Sequence, residues 1–554
     1  MLKKNDRIEL EITSLGSKGE GIGRHEGIAV FVKDALPGDR AKVLIIKAKK
    51  NFCFGKLLSV LRPSTDRIRP ICPVSNSCGG CQLSGLRYGA ELIFKEEKVR
   101  SALSRIGGIS EDELRGAAEP IFAMTVHDGA VAPERYRNKA CFPFGKGRDG
   151  RIIAGFFAGR THSIIECEDC LMVPEEFSDI LAIVLEFARE YDVEPYDEVT
   201  GEGLLRHLLI RKGFKTGEIM VCLVIKDKVL PHAKELVSAL LSVPGIESVV
   251  TNTNPDRTNV ILGKRTRLLF GREHIFEEIG ELRFRISAAS FFQVNPAVAS
   301  ALYDKAMEYA FSGLEEPVRL WDLCCGTGTM SLMAAKRGAH VYGIESNPEA
   351  VLDANENMRA NNIDNVTFIE SRVEDYLQKN SLEGDIVIMD PPRSGMEPSS
   401  LEAIISAAPS RIVYVSCDPA TLARDLRYML DYGFYRLEKY RTFDQFCRTC
   451  HVETVCLLSK GDVKSKKIRV EFSLEDMDTD GFKKGATYNT IRDWIKEKYG
   501  YRVTNLNIAQ VKQKHGIIER ENYNKPKSPD SKQPGCPEEK VKAIEDAMRH
   551  FQMI

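Results

Sequence analysis

A lone cysteine, Cys417, stands between the apolar run "RIVYVS" and the dipeptide Asp418-Pro419, which opens a helical pattern. Proline suits the first helical turn, where its missing N–H loses no partner. A thiol at such a junction faces backbone donors and the positive end of the helix dipole. The sequence therefore predicts a lowered pKa and a nucleophilic thiolate. The competing reading is a small core residue, the usual role of an unpaired cysteine. A second group of thiols, Cys72, Cys78 and Cys81, is spaced C-x5-C-x2-C, and Cys170 (or the neighbouring Cys167) follows about 90 residues later. Thiolates so placed suit an iron–sulfur cluster, with zinc as the structural alternative. Gly79-Gly80 allows a loop tight enough to wrap a metal. The spacing does not match the three-cysteine loop of radical S-adenosylmethionine enzymes.

A third constellation needs a nucleotide. "RLWDLCCGTGTMSLMAA" reads as a strand, a glycine loop and a helix. Gly326 and Gly328 let the backbone turn tightly against a ligand, and the helix N-terminus adds positive potential. A second strand, "AHVYGIE", ends in Glu345 about 20 residues on, where an acid can grip ribose hydroxyls. "DIVIMDPPRSGM" adds a third strand ending in Asp390-Pro391-Pro392-Arg393. The order strand, DxxCGxG loop, helix, strand, acid resembles class I S-adenosylmethionine methyltransferases. The GxGxxG spacing of a nicotinamide enzyme is absent.

These motifs require elements to hold them. Residues 318–458 alternate strand and helix, predicting a parallel sheet with crossover helices. Residues 134–285 mix strands with a helix near 232–242, an α+β module. The first 60 residues alternate apolar and polar positions between Gly and Pro-Gly turns, predicting a small antiparallel barrel. Its "GEGIGRHEGIAVFV" and "ALPGDRAKVLI" resemble the TRAM domain of RNA-modifying enzymes. Lys42, Lys47, Lys49, Lys50, Lys56, Arg62, Arg67 and Arg69 suit a phosphate-binding face there, and Phe31, Phe52 and Phe54 could stack on bases, although core packing is the first expectation for each. "YGAELIFKEEKVRSALSRIG" predicts a helix ending at Gly107-Gly108.

Taken together, "SFFQVN" (290–295), the glycine loop with "DPPR", and "SCDPATLARDL" with "FDQFCRTCHVETVCLL" resemble the bacterial RNA uracil-5-methyltransferases, over residues 1–459 or so. The resemblance implies Cys417 as the nucleophile that adds to carbon 6 of uracil and Glu453 as the base that takes the carbon-5 proton. It further implies S-adenosylmethionine as cofactor, contacted by Gln293, Cys324, Gly326, Thr329, Glu345 and Asp390, with Arg372 near the adenine. Cys324 and Thr329 depart from the aromatic and asparagine common in the family. Cys447 and Cys450 stand where proline and glycine are common, and a buried structural role suits them. The family's iron–sulfur members imply a [4Fe–4S] cluster on Cys72, Cys78, Cys81 and Cys170. Arg135, Arg137, Lys139, Arg206 and Arg211 become candidate phosphate contacts in the central domain, with ordinary surface charge as the alternative for each.

The expected architecture is multidomain α/β: a TRAM barrel (1–64), a central cluster and RNA-binding domain (65–90 and 128–285), a Rossmann-like methyltransferase domain (91–127 and 286–460), and a basic helical extension (461–554). The 554 residues carry a formal charge of only −1, yet residues 1–70 hold 15 Lys/Arg against 8 Asp/Glu, and residues 483–527 hold 11 against 4. Two basic modules flanking an acidic body point to a polyanionic partner. In the extension, "TYNTIRDWIKEKYG" predicts a helix closed by Gly500 and "TNLNIAQVKQKHGI" a second one capped by Asn507. "NYNKPKSPDSKQPGCP" reads as a linker before a last helix, so a helix-turn-helix is allowed. No run approaches the roughly 20 apolar residues of a membrane span, and "MLKKNDRIEL" lacks a signal-peptide core. The expectation is a cytoplasmic monomer acting on 23S ribosomal RNA. Transfer RNA is the alternative substrate, and an RNA-binding assembly factor with incidental methylation the alternative role.

Overall fold

The structure is a computed structural model that describes residues 2–124, 133–159, 161–314, 318–461, 488–500, 503–515, 537–551 and 553–554. The chain forms two compact units, residues 1–463 and 464–554. No helix among the described residues is long and apolar enough to cross a membrane.

In the first unit, strands Arg7–Leu15, Gly21–His25, Ile28–Lys33, Arg40–Ala48 and Phe52–Arg62 close into a barrel. Period-2 alternation turns Leu10, Ile12, Val30, Val32, Val43 and Ile45 inward. The barrel is not wholly antiparallel as expected, because Ile28–Lys33 pairs parallel with Phe52–Arg62. Five strands cannot all alternate in direction around a closed ring, so one parallel seam is forced.

The central sheet has seven strands, in the spatial order Arg265–Gly271, Ile246–Thr253, Ile219–Ile225, Leu205–Lys212, Lys139–Lys146, Ile152–Phe157, Ile164–Glu166. Helices Glu176–Glu190 and Ala233–Leu240 bury Phe177, Val184, Leu236 and Leu240 in its core.

The third part is an eight-stranded sheet, in the order Val366–Glu370, His340–Glu345, Arg319–Leu323, Ile386–Met389, Arg411–Ser416, Glu453–Lys460, Tyr435–Phe443, Ala118–Phe122. Its first five strands run parallel, and the apolar runs of Arg319–Leu323, Ile386–Met389 and Arg411–Ser416 are buried on both faces, as crossover helices demand. The order reverses beside Arg319–Leu323, so the carboxyl ends of that strand and its neighbours open a crevice. Helix Tyr88–Arg105 packs on helix Pro419–Asp431, and Ala118–Phe122 completes the sheet edge.

The second unit contains helices Tyr488–Tyr499, Asn505–Lys514 and Glu538–His550 around Ile491, Ile495, Ile508, Val511, Ile544 and Met548. Gly500 does end the first helix, with φ +76°. The expected cap Asn507 is displaced by Thr504. The Thr504 hydroxyl accepts from Asn507 N–H, and the Asn507 amide oxygen accepts in return from Thr504 N–H. Of the expected linker, residues 522–536 lie outside the described residues.

Candidate active site

The crevice holds a cavity of about 540 Å³ lined by Cys324, Gly326, Thr329, Glu345, Arg372 and Asp390, among others. Three alternate loop positions make this shape: Cys324, Gly326 and Gly328 all have positive φ, at 66°, 55° and 82°. At Gly328 a Cβ would stand 2.6 Å from the Phe368 ring, so glycine is required for space as well as for conformation. Below the loop, the buried carboxylate of Asp322 accepts from Ser331 Oγ at 2.6 Å and ties strand to helix. Glu345 accepts from Gly326 N–H at 3.0 Å and from Asn347 N–H at 2.8 Å, clamping the loop onto the second strand. Gln293 does not line this cavity: it is buried, and its side-chain oxygen accepts from Gln445 Nε2 at 3.1 Å.

Asp390 faces two ways. It lines the cavity, and its charge acts on Cys417 and Glu453. Burial, then the charge of Asp322, raises Asp390 to about 7. Burial, then Asp390, pushes Glu453 well above the carboxylate range, against the opposing pull of Arg393. Cys417 does not have the lowered pKa expected from its place at a helix start. Burial, then Glu453 and Asp390, raises it to about 11, and Arg393 only partly offsets them. Asp418 also occupies this helix start. Its carboxylate caps helix Pro419–Asp431, accepting from Ala420 N–H at 2.9 Å and Thr421 N–H at 3.1 Å. The donors that were to face the thiol are already taken, and by a negative charge.

Cys417 opens into a second, larger cleft of about 1,660 Å³. Its walls are the barrel (Lys18, Phe31, Lys33, Lys47, Phe54), the cysteine loop (Cys78, Gly79, Cys81), helix Tyr88–Arg105 (Phe94, Lys98) and His451. Phe31, Phe52 and Phe54 form a half-exposed triad with ring centroids 5.5–5.8 Å apart, so they are not barrel core.

Cys72, Cys78, Cys81 and Cys170 gather beside this cleft. They lie close enough that Cys170 and Cys72 raise the pKa of both Cys78 and Cys81, secondary to burial. Cys167 joins them, paired with Cys170 by a hydrogen bond. Gly80 N–H donates to Cys78 Sγ at 3.4 Å. Among the described residues, no three His, Cys, Asp or Glu side chains converge on the position of one metal ion.

Several arginines expected on phosphates are engaged elsewhere. Arg206 is buried and donates to the carbonyls of Asn254 and Asp256. Arg211 is buried and donates to Ala288 and Ser290 carbonyls. Arg135 grips Asp169 and the carbonyls of Cys170 and Val173, while Arg67 forks onto the buried Asp39. A long reach from one strand to an irregular loop needs a donor that can satisfy several carbonyls at once, which arginine supplies.

The sequence reading left Arg393 and Tyr303 without roles. Arg393 is the exposed cation acting on Cys417, Glu453 and His451, and its signal was its place in the DPPR motif. Tyr303 lies on helix Pro296–Phe311, lines the 540 Å³ cavity and is close enough for Asp390 and Glu453 to raise its pKa, behind burial. No local pattern marks it.

Residues 257–461 match a family profile described as tRNA (Uracil-5-)-methyltransferase, and residues 2–58 match the TRAM domain. An RNA methyltransferase of Clostridium tetani, named without a characterised substrate, is 43% identical over 468 residues, covering 84% of this chain and 98% of its own length. A similarly named protein of Halalkalibacterium halodurans is 42% identical over 462 residues, 82% and 98% of the two chains. Among solved structures, the Pyrococcus abyssi tRNA (uracil-54, C5)-methyltransferase, in complex with S-adenosyl-L-homocysteine, superposes with a TM-score of 0.64 at 28% identity, covering 81% of this chain and 99% of that one. This chain belongs to the S-adenosylmethionine-dependent RNA uracil-5-methyltransferase family, with a TRAM domain at its N-terminal end.

Proposed function

We propose that the enzyme methylates carbon 5 of a uridine in 23S ribosomal RNA through a covalent adduct between Cys417 and carbon 6 of the base. The observation that carries this reading is the sharing of one carboxylate: Asp390 borders the cofactor cavity and acts on the thiol that opens to the cleft. The Cys417 thiolate forms a bond to carbon 6, and the electrons of the 5,6 double bond become an enolate at carbon 5. Carbon 5 takes the methyl group as the sulfonium bond breaks, its electron pair leaving on the sulfur of S-adenosylhomocysteine. Glu453 removes the carbon-5 proton, the double bond re-forms, and the thiolate is expelled. The raised pKa values fit this order. Thiolate and carboxylate repel in the buried site, but they are needed in turn.

The residues at the cofactor cavity have complementary tasks in this reading. Glu345 holds the ribose, Gly326 and Thr329 accommodate the amino-acid end, Cys324 packs beside it, and Arg372 borders the adenine. Gln293, through Gln445, steadies the approach to the target base. The barrel lysines and the phenylalanine triad hold single-stranded RNA across the cleft, since a base must leave its stack to reach the thiol.

Cys72, Cys78, Cys81 and Cys170 are proposed to hold a [4Fe–4S] cluster. Four gathered thiols, the Gly79-Gly80 turn and an N–H donor to Cys78 Sγ suit that group. A cubane binds each cysteine through a separate iron, so its ligands need not converge on one point as those of zinc must. The cluster would fix the loop that walls the cleft. Anaerobically purified protein should be brown, with about four irons per chain; a colourless protein loaded with zinc would refute this.

Transfer RNA is the second reading, favoured by the substrate in the name of the Pyrococcus abyssi structure. Mass mapping of 5-methyluridine in ribosomal and transfer RNA from a deletion strain decides between them: loss of a 23S methyl supports the first, loss of a transfer RNA methyl the second. Replacing Glu453 by Gln should leave a denaturant-resistant protein–RNA adduct. Normal turnover by that variant would overturn the base assignment.

A further inference from the structure

Residues 444–452, just before Glu453, are irregular yet buried: Asp444, Gln445, Cys447 and Val452 have no exposed surface. Such a loop needs side chains to satisfy its carbonyls, and helix Tyr88–Arg105 supplies two of them, Lys95 and Lys98. Lys95 Nζ, fully buried, donates to Glu91 Oε1 (2.8 Å), Asp444 Oδ1 (2.5 Å) and the Phe446 carbonyl (3.1 Å). Tyr88 Oη donates to the other oxygen of Asp444 at 2.6 Å. Glu91 Oε1 accepts from Arg448 N–H at 2.8 Å, at a residue whose φ of 65° needs holding. Lys98 Nζ donates to the Cys450 carbonyl at 2.7 Å. One helix therefore grips the loop at 444, 446, 448 and 450.

A buried ion cluster is a weak way to gain stability, since well-packed apolar side chains of similar volume often do as well. It is a strong way to hold geometry, because removing any member strands a charge. The gripped residues lead directly into His451, which borders the cleft, and Glu453. We infer that Lys95 is a positioning residue that sets where Glu453 stands relative to carbon 5 of the bound base, with Lys98 as a second grip. This rests on the proposed covalent mechanism. Cys417 arrives on a separate strand, so sulfur addition and proton removal become separable.

The test uses full-length protein and substrate RNA with ordinary uridine. Lys95→Met and the charge-matched Lys95→Met/Asp444→Asn should lower kcat about 10- to 100-fold, the effect of a displacement near 1 Å. S-adenosylmethionine affinity should stay within about two-fold, because its cavity is bordered by other elements. Above all, the denaturant-resistant adduct should accumulate on ordinary uridine, since addition continues while proton removal stalls. Lys98→Met, which strands no buried carboxylate, should show the same split more weakly. Unchanged turnover, or parallel loss of cofactor binding, adduct and turnover in all three variants, would overturn the positioning role. A wild-type protein that forms no adduct with 5-fluorouridine RNA, whose fluorine cannot leave as a proton does, would overturn the mechanism itself and the positioning role with it.

Discussion

The cofactor cavity and the thiol site share Asp390 but are built in opposite ways. The cavity is a backbone object: three positive-φ residues in five positions, a strand on either side, and a carboxylate hydrogen-bonded to the loop it follows. The thiol site is a side-chain object. Its acids, cation and sulfur come from three segments, Asp390–Arg393, Cys417 and Glu453, and burial with charges from the other segments raises the pKa of Asp390, Cys417 and Glu453. Local chain geometry decides the first; the surrounding dielectric and charge decide the second. Mutations should therefore separate them.

The largest separation is expected from Cys417→Ala. In the proposed covalent mechanism the 5,6 double bond is not opened without the sulfur, and turnover should fall by at least about 10⁴-fold. S-adenosylmethionine should still bind to within about two-fold by calorimetry, because Cys417 is not part of the cavity wall. Persistent turnover in this variant would end the covalent reading.

Gly328→Val should do the reverse. A side chain at φ +82°, 2.6 Å from the Phe368 ring, forces the loop away from the cavity. A displacement worth 1.4 kcal/mol or more weakens S-adenosylmethionine about ten-fold. Alkylation of Cys417 by iodoacetamide, followed on its own peptide by mass spectrometry, should change by less than about two-fold.

The pH dependence of that alkylation sharpens the contrast. Cys417 is raised to about 11, so the thiol form dominates at neutral pH and the thiolate fraction grows about ten-fold per unit as pH rises. Reactivity should therefore climb continuously from pH 7 towards 11 in the unliganded protein, where a lowered pKa would give a plateau below 8. Arg393→Gln removes the cation that favours the thiolate, and should shift the curve to still higher pH. A plateau near neutrality would show that the carboxylates do not govern the sulfur.

The same division explains what was legible in the sequence. The glycine loop, Glu345 and the DPPR segment could be placed because positive φ and strand-end acids leave local residue signatures. The barrel, the helix at Tyr88–Arg105 and the alternating sheet followed from period and turn residues. The pKa of Cys417 could not be read, since it depends on burial, on Glu453, 36 positions away, and on Asp390. Arg206 and Arg211 were misjudged for a related reason: basic residues in strands look alike in sequence whether they reach solvent or buried carbonyls. Gln293 follows Phe292, which lines the cavity, but turns to Gln445, a partner 152 residues on.

The smallest expected effect tests the correction at Cys417 most directly. Asp418→Ala deletes the cap on Ala420 and Thr421, which should destabilise the protein by about 1 kcal/mol and lower its urea midpoint. It also frees two N–H donors and removes a negative charge next to the thiol in sequence. The sign for the sulfur is then downward: thiolate is favoured, and the alkylation curve should move to lower pH by about 0.2–0.7 of a unit, the range that a helix-end interaction supplies. Stability and thiol reactivity thus change in opposite senses in one variant, which simple loosening of the fold around a buried thiol does not predict at pH values where the protein stays folded. If the curve stays where it is while the midpoint falls, the capping carboxylate is not what offsets the helix dipole at the sulfur, and burial with Glu453 and Asp390 accounts for the raised thiol alone.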